Sequence, residues 1–582
     1  MKNICHFSPP PPRIPRSKKL TQFSNREFWY EEARSALRRR LQQNPPSVGS
    51  KTHARNVILF VGDGMSLTTI TASRILKGQR GGRSGEEQDL AWDKFPAVAL
   101  VKTYNADAQV GESSACSTAL MCGVKANFET LGLDTRGKFE NCLSSFSSKV
   151  PSLMDWAQEE GKMTGIVTNT RITHATPAAL YAHTPSRYWE DDGKVPPASR
   201  KSCKDIARQL IEDDPGKNIN VILGGGRRHW LPKVAKDPES DKDEGRRLDG
   251  RNLIDDWIRD KKRRGLNSAY VWNKSQMEEI NKKQIDHLLG LFSYSHMDFE
   301  TDRNTGPDGD PSLADMTRTA LNMLQKSTKG FFLFVEGGRI DHAHHYNNAY
   351  RALDETIALE SAVLTAMSMV DLSETLIVLT SDHSHVMTMG GTDGKVSDID
   401  GFPYSTLIYG NGPGFSEPRT IPNNGTTVGK QAEEKNSVHG AAVPRQWATH
   451  GGEDVPIYAQ GPLASSVFTG VIDQSYIPHA IAYAACWGFH SHRCSNGLDN
   501  YTTSQVQTAC SSLPDVSSAS TGSHGSGQPI VIASSVMSDN GRSNFMGTIY
   551  VYFIYYQVFN IFYNNLININ IIIIIIIIII NN

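Results

Sequence analysis

Three apolar runs in this chain end in the same way, and that ending constrains the fold more than any other feature. Asn-Val-Ile-Leu-Phe-Val at 56–61 leads into Gly62-Asp63-Gly64. Gly-Phe-Phe-Leu-Phe-Val at 330–335 leads into Glu336-Gly337-Gly338, and Thr-Leu-Ile-Val-Leu-Thr at 375–380 leads into Ser381-Asp382-His383. Short continuous apolar runs read as strands buried on both faces, and between about 50 and 490 they alternate with helical patterns. The alternation predicts an α/β fold in three layers, with a large, mostly parallel central sheet flanked by helices. Ligands of such sheets bind beyond the carboxyl ends of the strands. Three acids delivered to one edge repel one another and are costly to bury unless a cation neutralises them.

Histidines supply the partners for that cation. Nine of the eighteen lie between 287 and 450. In Asp341-His342-Ala343-His344-His345 a helix would put Asp341 and His345 four apart on one face, suited to gripping one metal. His342 and His344 would then point elsewhere. Asp382 and His383 stand side by side at a strand end, and His450 lies in a Gly-rich turn, Ala-Thr-His-Gly-Gly. Mixed Asp/His ligation suits Zn²⁺, and carboxylate with hydroxyl oxygens suits Mg²⁺. Small residues at 110–127 run into a helical pattern, so a serine there would sit at a helix N-terminus, where an anion is favoured. Two metals can lower a hydroxyl pKa and clamp both oxygens of an in-line displacement, and an arginine should hold the remaining phosphate oxygens.

Composition narrows the partners. The 582 residues carry 60 basic and 61 acidic side chains, a net charge of −1, which argues against nucleic-acid binding through a basic surface. The 39% hydrophobic content excludes a wholly disordered chain. The ends differ from the middle. Residues 1–24 are a Pro-rich, basic leader expected to be disordered, without the apolar core of a secretory signal. Phe28, Ala33, Ala36, Leu37 and Leu41 then recur at helical spacing until Asn44-Pro45-Pro46. Residues 495–542 are Ser/Gly-rich and polar, and 543–582 hold no charged residue and end near ten isoleucines at 571–580. That tail admits three readings: translated non-coding sequence, a membrane segment, or a lipid-anchor signal of the GPI type.

The long motifs Asn56–Met65, Cys122–Leu133, Thr173–Arg187, Val221–Arg228, Gly330–His345, Thr380–Val386 and Thr449–Val455 closely resemble those of eukaryotic alkaline phosphatases. The resemblance runs from about Asn25 to Cys494 and implies one catalytic domain, 25–494, with a small crown insertion at about 386–449. It implies a phosphomonoesterase of broad substrate range with an alkaline pH optimum and a phosphoserine intermediate. By this resemblance Ser113 is the nucleophile when the block is aligned without gaps from Cys122, and Ser114 if it is gapped. Arg187 would hold phosphate. Asp341, His345 and His450 would form the first zinc site, and Asp63, Asp382 and His383 the second. Asp63, Thr176 and Glu336 would hold magnesium, with His174 nearby. Glu112 stands where the family usually has Asp. A structural calcium site is implied by Glu239, the Phe292 carbonyl and Asp310, with Ser293 in place of the usual carboxylate. Disulfides Cys142–Cys203 and Cys486–Cys494, glycosylation at Asn273, a homodimer, and an extracellular or cell-surface location, GPI-anchored in some members, are implied in the same way. Further acceptor motifs stand at Asn424 and Asn500.

Overall fold

The computed structural model describes residues 25–390, 405–416 and 435–494. The leader, the polar segment 495–542, the tail with its three readings, much of the crown, and the motifs at Asn424 and Asn500 lie outside the described residues.

Ten strands form one sheet. In chain order they are β1 (Asn56–Gly62), β2 (Ala97–Lys102), β3 (Met163–Arg171), β4 (Val221–Gly225), β5 (Ser268–Val271), β6 (His287–Leu291), β7 (Phe331–Gly337), β8 (Thr375–Thr380), β9 (Val455–Gln460) and β10 (Gly470–Asp473). Across the sheet they run β10-β2-β9-β8-β1-β7-β3-β4-β6-β5. β1 lies between β8 and β7 and is parallel to both. β9 is antiparallel to both of its neighbours, β8 and β2. The sheet is thus mostly parallel, as expected, with one reversed strand. The three acid-bearing runs are adjacent, and Val61 is in register with Glu336 on one side and Thr380 on the other. All three acids therefore leave the sheet at one edge.

The two-residue period of a strand divides β1 between two cores. Val57, Leu59 and Val61 pack into one core with Leu37, Leu41 and Phe468. Ile58 and Phe60 pack into the other with Leu321, Leu359 and Val363 of the helices Leu313–Leu324 and Ala349–Met369. Burial on both faces explains why these strands read as continuous apolar runs.

The N-terminal helix spans Arg26–Gln43, capped by the Asn25 side chain. It buries Trp29, Tyr30, Ala33, Leu37 and Leu41, while Phe28 and Ala36 are half-buried. Cys142 pairs with Cys203 and Cys486 with Cys494, and Cys116 and Cys122 are buried free thiols. Asn273 is 5% exposed, and its side-chain oxygen caps the helix Lys274–Glu279. Among the described residues no helix is long and apolar enough to cross a membrane.

Candidate metal centre

The acids at the strand ends are fully buried and incompletely satisfied. Asp63, Glu336 and Asp382 have no exposed surface, and Asp63 Oδ1, Glu336 Oε1 and Asp382 Oδ2 have no hydrogen-bond partner among the described residues. Their other oxygens are held. Glu336 Oε2 accepts from the hydroxyls of Thr168 and Thr170. Asp382 Oδ1 accepts from the N–H groups of Gly64 at 3.1 Å and His383 at 2.9 Å. Thr176 Oγ1 donates to Asp63 Oδ2 at 3.5 Å. Burial, then mutual repulsion with Asp382, Asp341 and Glu336, pushes Asp63 well above the usual carboxylate range. Burial chiefly raises Glu336 to about 7 and Asp382 to about 6. Gly64 has φ +70°, and a Cβ there would stand 2.6 Å from the His385 ring, so only glycine fits the turn that brings Asp63 in.

Imidazoles build the adjoining half. Asp341 and His345 lie one turn apart on the helix Arg339–His345, with His345 Nε2 3.3 Å from Asp341 Oδ2. His385 Nε2 is 2.5 Å and His450 Nε2 3.5 Å from Asp341 Oδ1. His345 Nδ1 donates to the Ala448 carbonyl at 2.6 Å, and His450 Nδ1 to the Gly111 carbonyl at 2.9 Å. Carbonyls only accept, so both rings carry a proton on Nδ1 and turn Nε2 inward, toward Asp341. Burial alone would raise Asp341; His345 and His385 hold it well below the usual range. His385 belongs to this group and was not singled out in the sequence. The signal was the two-residue spacing in Asp-His-Ser-His, which puts His383 and His385 on one side of an extended chain. His344 is fully buried between Thr69 and Tyr409, and His342 joins His174 and His296 in a separate cluster.

Ser113 opens the helix Ser113–Cys122 and is 2% exposed. Its Oγ lies 3.2 Å from His383 Nε2. The same nitrogen is 3.5 Å from Asp63 Oδ1 and 3.4 Å from Asp382 Oδ2. A hydroxyl, a ring nitrogen and two orphaned carboxylate oxygens thus converge, which is a donor set for a divalent cation. Ser114 Oγ instead donates to Glu112. Glu112 caps the helix through the N–H groups of Ser114 and Ala115, accepts from the Glu129 N–H, and reaches Arg187 Nη1 at 2.8 Å. Against burial, Arg187 and these hydrogen bonds keep Glu112 ionised below its ordinary pKa. Arg187 Nη2 is 3.2 Å from His174 Nε2.

Three groupings near this edge have ligand atoms within 4.8 Å of one another: Asp341, His345, His385 and His450; Asp63, Asp341 and His383; and Asp63, His174 and Glu336. The residues expected for calcium sit differently. Arg227 pairs with both Asp237 and Glu239. Asp310 is pushed up to about 7 by burial and then by Glu239 and Asp298. The Ser293 hydroxyl donates to the His296 carbonyl at 3.0 Å.

A family model described as alkaline phosphatase matches residues 54–487. The chain is 45% identical over 486 residues to the tissue-nonspecific alkaline phosphatase isozyme of Gallus gallus, covering 81% of this chain and 91% of that one. It is 42% identical over 483 residues to the Homo sapiens isozyme of that name, covering 81% and 90%. Among solved structures, the alkaline phosphatase of Thermus thermophilus superposes with a TM-score of 0.54 at 23% identity, covering 78% of this chain and 98% of that one. That of the Antarctic bacterium TAB5 superposes with 0.52 at 20%, covering 75% and 100%.

Proposed function

The chain belongs to the alkaline phosphatase family and is an enzyme of that class, a metal-dependent phosphomonoesterase; from that premise we propose that it works through a phosphoserine on Ser113, with two zinc ions and one magnesium. The observation that carries this reading is the convergence of Ser113 Oγ with two orphaned, buried carboxylate oxygens on His383 Nε2. Asp341, His345 and His450 would hold the first zinc, with His385 beside them. Asp63, Asp382 and His383 would hold the second, and Asp63, Thr176 and Glu336 the magnesium, with His174 at its side. When bound, these ions would lower the pKa of the serine hydroxyl and of the attacking water, and offset charge on the leaving oxygen.

The chain's own residues do the rest. Ser113 Oγ gives up its proton to solvent and attacks phosphorus in line; a phosphorus–oxygen bond forms to Ser113 as the bond to the leaving oxygen breaks, and that oxygen departs as the alcohol after taking a proton from water. Arg187 holds two non-bridging oxygens bidentately. Glu112 fixes the guanidinium from behind, and its extra methylene relative to Asp is taken up by the cap it also makes. Water then attacks phosphorus from the side the leaving group vacated; the bond to Ser113 Oγ breaks, Oγ takes back the proton the water gives up, and phosphate leaves. Rate should rise into alkaline pH as the serine hydroxyl ionises. Grip on the phosphoryl group alone implies broad tolerance of the ester.

The two cysteine pairs fit an oxidising, extracellular setting. We extend the family's homodimer, crown and lipid anchor to this chain on the same footing; glycosylation at Asn273 does not fit, because that side chain is buried and caps a helix. Calcium at Glu239, Phe292 and Asp310 would be weak, because Arg227 competes for Glu239. Millimolar calcium should raise Tm by no more than about a degree or two.

Hydrolysis of a nitrophenyl phosphate and of its bis-nitrophenyl diester, measured before and after chelation and after return of zinc and magnesium, tests the reading. The monoester should be faster by orders of magnitude and should need metal. A faster diester, or full activity in the chelated protein, contradicts it.

A further inference from the structure

Arg187 is held at both its side chain and its backbone, and one residue reaches both holds. The guanidinium meets Glu112 Oε2 at 2.8 Å, and the Arg187 backbone N–H donates to the Glu129 carbonyl at 3.0 Å. The N–H of that same Glu129 donates to Glu112 Oε1 at 2.9 Å. Glu129 therefore grips both members of the ion pair that aims the guanidinium. Its carboxylate accepts from the hydroxyl of Tyr188, the residue that follows Arg187. The two segments are already paired nearby, where Leu131 and Thr184 exchange backbone hydrogen bonds of 2.9 Å in antiparallel fashion.

Glu129 has φ +60°, in the left-handed region where a side chain is strained and glycine is not. A turn kept only for the fold would favour glycine there. A strained residue that keeps its side chain beside a functional group points to a use for that side chain. Both ends of the Glu129–Tyr188 bond are steadied. The N–H of Phe128, just before Glu129, donates to Asp107 at 2.9 Å. The Phe139 ring packs edge-on against Tyr188, with centroids 6.3 Å apart. Partial burial, then the bond to Glu129, push the Tyr188 hydroxyl up to about 12 against the pull of Arg187. The phenol thus keeps its proton, and goes on donating, through the alkaline range.

We propose that Glu129 and Tyr188 are positioning residues for Arg187: their hydrogen bond closes a ring through Glu112, Arg187, Tyr188 and Glu129 that fixes the guanidinium for its bidentate grip on phosphate. Both act through Arg187, not on phosphate themselves. The proposal rests on the reading of Arg187 as the phosphate-holding residue.

The test measures the Kd of inorganic phosphate by calorimetry, with KM and kcat for nitrophenyl phosphate, on enzyme loaded with zinc and magnesium. Tyr188→Phe removes only the hydroxyl and should raise Kd and KM about three- to tenfold, the effect of one hydrogen bond to a carboxylate, with a smaller change in kcat. Glu129→Gly should weaken phosphate to the same extent while leaving the denaturant midpoint equal or higher, because glycine takes φ +60° without strain. Glu129→Gln keeps an acceptor for the Tyr188 hydroxyl and should recover most of the affinity lost in Glu129→Gly. In an Arg187→Ala background, Tyr188→Phe should have no further effect on phosphate. The proposal is overturned by unchanged constants in Tyr188→Phe and Glu129→Gly, by a loss in Glu129→Gly that comes with a lower midpoint, by a Glu129→Gln enzyme no better than Glu129→Gly, or by an equal effect of Tyr188→Phe with and without Arg187. Intact phosphate binding in Arg187→Ala would show that the catalytic reading has failed and the proposal with it. Loss of phosphate in Arg187→Ala alone would sink the proposal and leave that reading standing.

Discussion

The two halves of the metal centre hold their charge differently. Asp341 is surrounded by imidazoles at 2.5 to 3.5 Å and is kept ionised by them. Asp63, Glu336 and Asp382 face chiefly one another, keep an orphaned oxygen each, and are driven toward protonation. The imidazole half is compensated by the protein itself. The acid half is complete only with a cation. Affinity for metal is therefore stored mainly where the strands end in acids, and the histidines mainly orient.

The largest effect should separate the halves directly. Asp63 takes part in two of the three ligand groupings, whereas His385 sits in one. Asp63→Ala should lower kcat on nitrophenyl phosphate by on the order of a thousandfold or more. His385→Gln, which removes one imidazole of three around Asp341, should cost about ten- to a hundredfold. Similar losses in the two variants would dissolve the distinction.

In the metal-free protein, neutralising an acid should have opposite effects in the two halves. Asp382→Asn relieves repulsion and should stabilise by about 1–3 kcal/mol, read as a higher denaturant midpoint, while abolishing activity. Asp341→Asn removes the partner of the histidines and should destabilise by a similar amount.

The pH dependence of stability carries the same contrast. A carboxyl whose folded pKa lies above its unfolded value contributes stability that is lost as pH rises through the folded value. With Asp382 at about 6 and Glu336 at about 7, the metal-free protein should lose Tm between about pH 4 and pH 7. Asp341, held low, contributes stability present above its unfolded pKa and lost as pH falls through its folded one. Zinc should flatten the neutral part of this profile, and a profile unchanged by zinc would contradict the assignment of the acid half.

The smallest effect concerns Glu112, outside both halves. Glu112→Gln leaves the helix cap but loosens Arg187, and KM for a monoester should rise about tenfold with a smaller change in kcat.

Much of this was legible in the chain because it is local. A buried strand shows as an apolar run, and the acid after it shows where the run ends. Asp341 and His345 were readable from helical spacing. The N-terminal helix showed its stripe, although Trp29 and Tyr30 are buried beside the residues the spacing picked out. What escaped depends on contacts far apart in sequence. The reversal of β9 is set by pairing with β8 and β2, not by its own residues. His385 becomes a site residue only because Asp341, 44 positions away, turns an oxygen toward it. No composition or period carries such information.

The central claim is that Ser113, held over His383 among orphaned carboxylates, takes the phosphoryl group. Quenching the zinc- and magnesium-loaded enzyme in acid during turnover, followed by peptide mass spectrometry, tests it most directly. The account predicts one phosphate on Ser113, absent in Ser113→Ala and absent without metal. A phosphate on Ser114, or steady turnover with no phosphoserine trapped under acid, would contradict it.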